Sequence, residues 1–119
     1  MNLDEAIAAH ISWKVKLREF ISGKGEKLHS ESVCKDNLCD LGKWIYGKGM
    51  DYMATPAYQN LKKEHAHFHR CAAEIVRTVE SGDPKTAETM LTTGSNFAKS
   101  STAIVKLIGQ LKKTVEPGE

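Results

Sequence analysis

No stretch of this 119-residue chain approaches the roughly 20 consecutive apolar residues that a bilayer-crossing helix needs. The opening Met1-Asn-Leu-Asp-Glu-Ala-Ile is acidic and lacks the basic-then-apolar order of a secretory signal, so a cytoplasmic location is expected. Cysteines number only three, and an odd count fits a reducing compartment better than a disulfide framework. Cys39 is then free to serve as a thiolate. Neither sign of charge dominates: seventeen Lys and Arg face fifteen Asp and Glu, for a formal net charge of +2. That leaves no basic face to follow a phosphate backbone, and no nucleic-acid partner is expected. There is no internal repeat and no low-complexity segment. No carboxylate pair, Ser-His arrangement or phosphate-cradling loop stands out, and Gly42, Gly47 and Gly49 lack the strand context of a nucleotide motif. No catalytic role is expected.

What is present suits one small domain over residues 1–119, with one core. Apolar residues make up 40% and charged residues 27%, ordinary for a globular chain. Charges such as Lys62, Lys63 and Glu64 read as a solvated surface. No alternating strand pattern occurs, and apolar residues recur at helical spacing. The first stripe is Leu3, Ile7, Ile11, Trp13, Leu17, Phe20 and Ile21, with His10 inside it and Gly23 and Gly25 closing the helix. Residues 24–36 are polar and aperiodic and read as a loop. A short helix is expected over 37–46, with Asp36 or Asn37 as N-cap and Gly47 at its end, followed by a second loop over 47–54.

Thr55 and Pro56 have the cap-then-first-position order that opens a helix. Tyr58, Leu61, His65, Phe68, Ala72, Ile75 and Val79 then alternate by three and four. Ser-Gly-Asp-Pro at 81–84 is a turn, with Asp83 capping and Pro84 opening a fourth helix. That helix repeats the pattern from Ala87 to Leu111, with Gly94 and Ser101 as small seam residues. Three long helices and one short one predict an all-α antiparallel helical bundle.

His65-Ala-His67-Phe-His69 would align three imidazoles on a strand, but the heptad seam runs through it. On a helix His65 and His69 share a face one turn apart, and His67 points elsewhere as a surface histidine. His65 falls among apolar seam residues, where an imidazole needs a strong partner. His10 lies on an apolar stripe too, and Cys39 lies on the short helix. The bland readings are buried histidines satisfied by backbone carbonyls and a cysteine acting as a small hydrophobe. Convergence argues otherwise. Three helices each offer a ligand-competent residue on or near the inward face, supplying three nitrogens and one sulfur. Thiolate with imidazoles suits zinc, whereas calcium or magnesium would need clustered carboxylates. Ferritin-type di-iron bundles use Glu-x-x-His pairs, and none of these four residues has a Glu three positions before it. His29 and Cys34 are spare loop candidates, and Cys71 reads as packing. Four protein ligands leave no open position, which makes a site structural or sensory rather than hydrolytic.

His10-Ile-Ser-Trp13-Lys14, Cys39-Asp-Leu41-Gly42-Lys43-Trp44-Ile-Tyr46-Gly47 and His65-x-x-Phe68-His69 resemble the bacterial chemoreceptor zinc-binding domain. The resemblance covers almost the whole chain, and the Cys-x-Leu-Gly-Lys-Trp segment is its most specific part. It implies a helical bundle holding one zinc through His10, Cys39, His65 and His69. It also implies a regulatory role on chemoreceptors or diguanylate cyclases, often as a homodimer, in sensing zinc or oxidants such as hypochlorous acid. The chain departs from that pattern in having no methyl-accepting signalling helices and no cyclase domain. The expected device is the short helix, swinging away when Cys39 is oxidised or zinc is lost. The rival expectation is a structural module that dimerises through the first and fourth helices, with zinc only stabilising the fold.

Overall fold

Thr55 has extended backbone and its side chain accepts the N–H of Tyr58, while Pro56 supplies the first helical residue, so α4 starts where the sequence places it. The computed structural model describes residues 3–25 and 27–115, and among these there are helices and no strands. In chain order they are α1 (Leu3–Ile21), α2 (Ser30–Val33), α3 (Asp40–Ile45), a 3-10 turn (Lys48–Tyr52), α4 (Pro56–Glu80), α5 (Pro84–Met90) and α6 (Asn96–Val115).

The 25-residue α4 is the spine. Its inner face is the predicted seam: Tyr58, Leu61, His65, Phe68, Ala72 and Ile75 are all buried. Against it lie α6 most extensively, then the small helices α2 and α5, with α1 and α3 beside it. Phe68 meets Phe97 of α6 with ring centroids 5.3 Å apart. Lys112 near the end of α6 reaches Asp4 at the start of α1 at 2.9 Å. Asp83 caps α5 through the N–H of Thr86, and Pro84 opens it, both as the sequence predicts.

Several expectations need correction, and the reasons are local. The predicted loop over 24–36 contains α2, a single turn that the 3.6-residue period is too short to reveal. Its Ser30 hydroxyl donates to Glu80 at 2.6 Å, and the Ser30 N–H reaches the same carboxylate at 3.3 Å, tying the turn to the end of α4. The predicted loop over 47–54 contains the 3-10 turn. The short helix begins at Asp40, and its N-cap is Cys39 rather than Asp36 or Asn37. Its end precedes Gly47, with Tyr46 as the C-cap.

The fourth predicted helix is two helices, broken over residues 91–95, where Gly94 has φ +90°. A left-handed residue is a turn, not a seam contact, and a Cβ built at Gly94 would meet nothing within 4 Å. The buried small residue of α6 is Ser100, while Ser101 is half-buried. On α1 the inward face runs through Leu3, Ala6, His10, Leu17 and Ile21, leaving Ile11 54% exposed.

Burial separates two isoleucines. Ile104 on α6 has 0% exposure, and truncation there leaves a cavity, so Ile104→Ala should cost about 3 kcal/mol in urea denaturation. Ile11→Ala should cost about 0.5 kcal/mol or less within the single chain, measured at protein concentrations too low for association.

Glu80 gives a pH signature. The Ser30 hydroxyl and N–H hold its carboxyl below the usual glutamate value, so the bond contributes in full above that range. The contribution fades as pH falls through the lowered value. Hydrogen exchange of the α2 amides should therefore be faster in Glu80→Ala than in the natural chain at pH 7. That gap should begin to narrow as pH falls below the ordinary glutamate range and close below the lowered value.

Candidate metal centre

Four side chains converge where α1, α3 and α4 meet. His10 comes from the middle of α1, Cys39 from the cap of α3, and His65 and His69 from one face of α4. One ligand atom from each lies within 4.8 Å of every other. His10 is 2%, His65 0% and His69 3% exposed, and Cys39 is half-buried. The sequence proposed these four, and the fold brings all four together. It leaves out the spares: His29 and Cys34 are exposed, and His67 points outward.

Each ring's orientation has a cause. His10 Nδ1 lies 2.7 Å from the carbonyl of Ala6, one turn back on α1. A carbonyl only accepts, so that nitrogen carries the proton and Nε2 keeps its lone pair. His69 Nδ1 lies 3.0 Å from the carbonyl of Val33 in α2, with the same consequence. Such a carbonyl behind the imidazole is how metal-binding histidines are usually held. His65 has no such support: its Nδ1 is buried and without a partner among the described residues. Steric confinement aligns it instead, with the His10 and His69 rings 5.1 and 4.6 Å away, centroid to centroid.

The chemistry of this donor set asks for a cation. His10 Nε2 is buried with no hydrogen-bond partner among the described residues. His65 Nε2 and His69 Nε2 are 3.2 Å apart. Cys39 Sγ is 3.2 Å from the first and 3.6 Å from the second. A tetrahedral zinc, about 2.0–2.1 Å from nitrogen and about 2.3 Å from sulfur, sets edges of roughly 3.3 Å between nitrogens and roughly 3.6 Å from nitrogen to sulfur. The three edges among Cys39, His65 and His69 fit such a polyhedron, and His10 completes the set within 4.8 Å.

The protonation equilibria point the same way. Burial, reinforced by His69 and His10, pushes the His65 imidazole down to about 2. Burial lowers His10 and His69 as well, against the opposing pull of their carbonyl partners. All three rings are therefore neutral and ligand-ready near pH 7. Burial pushes the Cys39 thiol up, while the N–H of Gly42, 3.4 Å from Sγ, favours the thiolate. A bound divalent cation would overcome the burial penalty and hold the sulfur deprotonated.

A family model described as the chemoreceptor zinc-binding domain matches residues 10–76, more than half of the chain and all four residues of the cluster. The chain belongs to the chemoreceptor zinc-binding domain family. Zinc is the metal of that family, and His10, Cys39, His65 and His69 form a possible zinc site. Neither the curated proteins nor the solved structures contain a match.

What the sequence reading missed is how Cys39 is presented. Gly42 is buried, and a Cβ there would meet the Asp36 carbonyl oxygen at 1.7 Å. Only glycine lets the 36–39 loop fold back over the first turn of α3 and place Sγ at the cap. The Gly within Cys-x-Leu-Gly was visible as a motif, but nothing local announces a backbone contact six residues back. Gly42→Ala should therefore displace Cys39 and weaken zinc binding by about tenfold or more, as when supporting groups of metal sites are lost. Competition with a chromophoric chelator measures that loss. Far-UV circular dichroism should change little, because α1, α4 and α6 do not depend on the loop.

Proposed function

We propose that residues 1–119 act as a single zinc-binding regulatory domain in bacterial signalling, with the long helices α1, α4 and α6 arranged as an antiparallel bundle. Its zinc ligands are His10, Cys39, His65 and His69. The observation that carries this reading is the convergence of three imidazole nitrogens and one sulfur within 4.8 Å of one another, in a family whose metal is zinc. The pairing of Phe68 with Phe97 and of Glu64 with Ser100, early α6 residues against mid-α4 ones, supports the antiparallel arrangement.

Bound zinc would supply positive charge that holds Cys39 as a thiolate and joins three helices at one point. The rest belongs to the chain. Four protein donors leave no open position, so the site favours sensing or structure over hydrolysis. Cys39 is the least buried of the four, and a thiolate is the form of cysteine that oxidants attack. It stands at the end of a six-residue helix with a loop before it and a 3-10 turn after it. Oxidation of Cys39, or removal of the ion, would free α3 while α4 and α6 stay packed. Displacement of α3 is then the signal passed to chemoreceptor or cyclase machinery in the cytoplasm.

A second reading, a zinc-stabilised dimerisation module without sensing, is favoured by one feature. Ile11 and Val15 stand one turn apart on α1 and are 54% and 53% exposed, an apolar pair suited to a second copy of the chain. The two readings agree on a homodimer and differ on whether α3 moves.

Metal analysis of purified protein should find one zinc per chain. Cys39→Ala should lower that content sharply, and His67→Ala should leave it intact. On chelation, or after dilute hypochlorous acid, amide exchange over residues 37–46 should accelerate while the centre of α4 stays protected. Unchanged exchange in that segment would rule out the sensing movement and leave the module.

A further inference from the structure

The outward side of α4 carries a second group of reactive side chains, separate from the metal centre. Glu64, His67 and Cys71 follow one another at steps of three and four residues, so they share a helix face. Cys71 Sγ lies 3.6 Å from His67 Nε2. His67 Nδ1 lies 3.0 Å from Glu64 Oε2, and the same oxygen accepts the Ser100 hydroxyl of α6 at 2.7 Å. Ser100 is 2% exposed, so the carboxylate is fixed from a neighbouring helix rather than solvated, contrary to the sequence expectation for Glu64. A carboxylate only accepts, which puts the His67 proton on Nδ1 and turns the Nε2 lone pair toward the thiol. The Cys71 thiol is the group placed to donate to that lone pair. Cys71 is half-buried and opens on a cavity of about 360 Å³ lined also by Arg70, Glu74, Asn96 and Phe97.

We propose that Cys71 is a thiol-modification site that exchanges with low-molecular-weight disulfides bearing carboxylate groups. His67 accepts the proton, Glu64 orients His67, and Arg70 pairs with a carboxylate of the incoming molecule. The Cys71 sulfur forms a bond to the nearer sulfur of the disulfide, whose own S–S bond breaks with its electron pair on the farther sulfur. The Cys71 proton passes to His67 Nε2 and from there to the departing thiolate. Cys71 is oxidised to a mixed disulfide, the departing half is reduced to a thiol, and no other reagent is consumed. This is nucleophile activation by a base that a third group orients.

Access alone would favour a different cysteine. Cys34 is exposed, but its thiol donates to the carbonyl of Glu31, and among the described residues no histidine hydrogen-bonds to it. The order of reactivity therefore separates base assistance from exposure. The test uses the full chain loaded with zinc, which occupies Cys39, and glutathione disulfide as the probe, with mixed disulfides quantified by peptide mass spectrometry. Cys71 should react about fivefold or more faster than Cys34, and His67→Gln should slow Cys71 about tenfold or more while leaving Cys34 unchanged. Arg70→Gln should slow reaction with glutathione disulfide but not with uncharged hydroxyethyl disulfide. Zinc content and circular dichroism confirm that each variant is folded, and the Cys34 rate is an internal control in every sample. Cys71 reacting no faster than Cys34, or equally fast in His67→Gln, would overturn the site. Equal sensitivity of both disulfides to Arg70→Gln would overturn its assignment to carboxylates.

Discussion

Two imidazole nitrogens with lone pairs facing each other at 3.2 Å repel unless something positive lies between them. His65 and His69 are in that position. Burial keeps His65 neutral near pH 7, so its one proton either sits on Nε2 between the two rings or is stranded on Nδ1, which has no partner among the described residues. His69 has its proton committed to the Val33 carbonyl on the opposite side of its ring. The rings cannot swing apart, because Phe68 and the His10 ring pack beside them. Burial, tautomer and packing thus create a small volume of concentrated negative potential that a divalent cation relieves, and Cys39 adds a sulfur to it. On the proposed reading the long helices, with Leu61, Ile104 and Ile108 fully buried, stay packed without that ion, and the short ones depend on it.

A six-residue helix has almost no stability of its own, because nucleation costs more than its few hydrogen bonds return. Tertiary contacts hold α3: Leu41 and Ile45 are buried, and the Tyr58 hydroxyl of α4 donates to the Ile45 carbonyl at 2.5 Å. Cys39 fastens the other end. The segment is therefore clamped at its C-terminal end by apolar packing and at its N-terminal end by one sulfur. On the proposed reading, releasing the sulfur frees one end while the other stays docked, a lever rather than a global unfolding.

The parts that can be read from residues alone are those in which local signals agree. The start of α4 was legible because Thr55, Pro56 and an unbroken seam all say the same thing, and His65 falls on that seam. The four converging residues were legible because His10 and His65 stand in apolar stripes where an imidazole needs a partner, His69 lies one turn from His65, and Cys39 adds a sulfur from a third helix. The small elements were not. α2 is a turn held by Ser30 and Glu80, 50 residues apart in sequence, and α3 is capped by a sulfur where a carboxylate or amide was expected. Glu64 shows the same limit: beside two lysines it reads as solvated, and only its contact with Ser100, 36 residues away, gives it a fixed position. Periodicity reports which face is buried and is silent about single polar contacts between distant segments.

α4 presents two chemistries on opposite sides because its reactive residues alternate. His65 and His69 face inward and His67 and Cys71 face outward, all within two turns of one helix. A change at either face cannot propagate by bending α4, which is 25 residues long and packed along α6. Any conformational output must leave through the pieces attached to it. The metal face has such an exit: His69 holds the Val33 carbonyl, Val33 belongs to α2, and α2 leads within seven residues to α3. The exit from the thiol face lies elsewhere. Its cavity is bounded by Met90 at the end of α5 and by Ser95, Asn96 and Phe97 at the start of α6, the segment where the helix breaks. A bulky group on Cys71 would press on that break and leave α3 untouched, so the two faces of α4 address two different joints of the same domain.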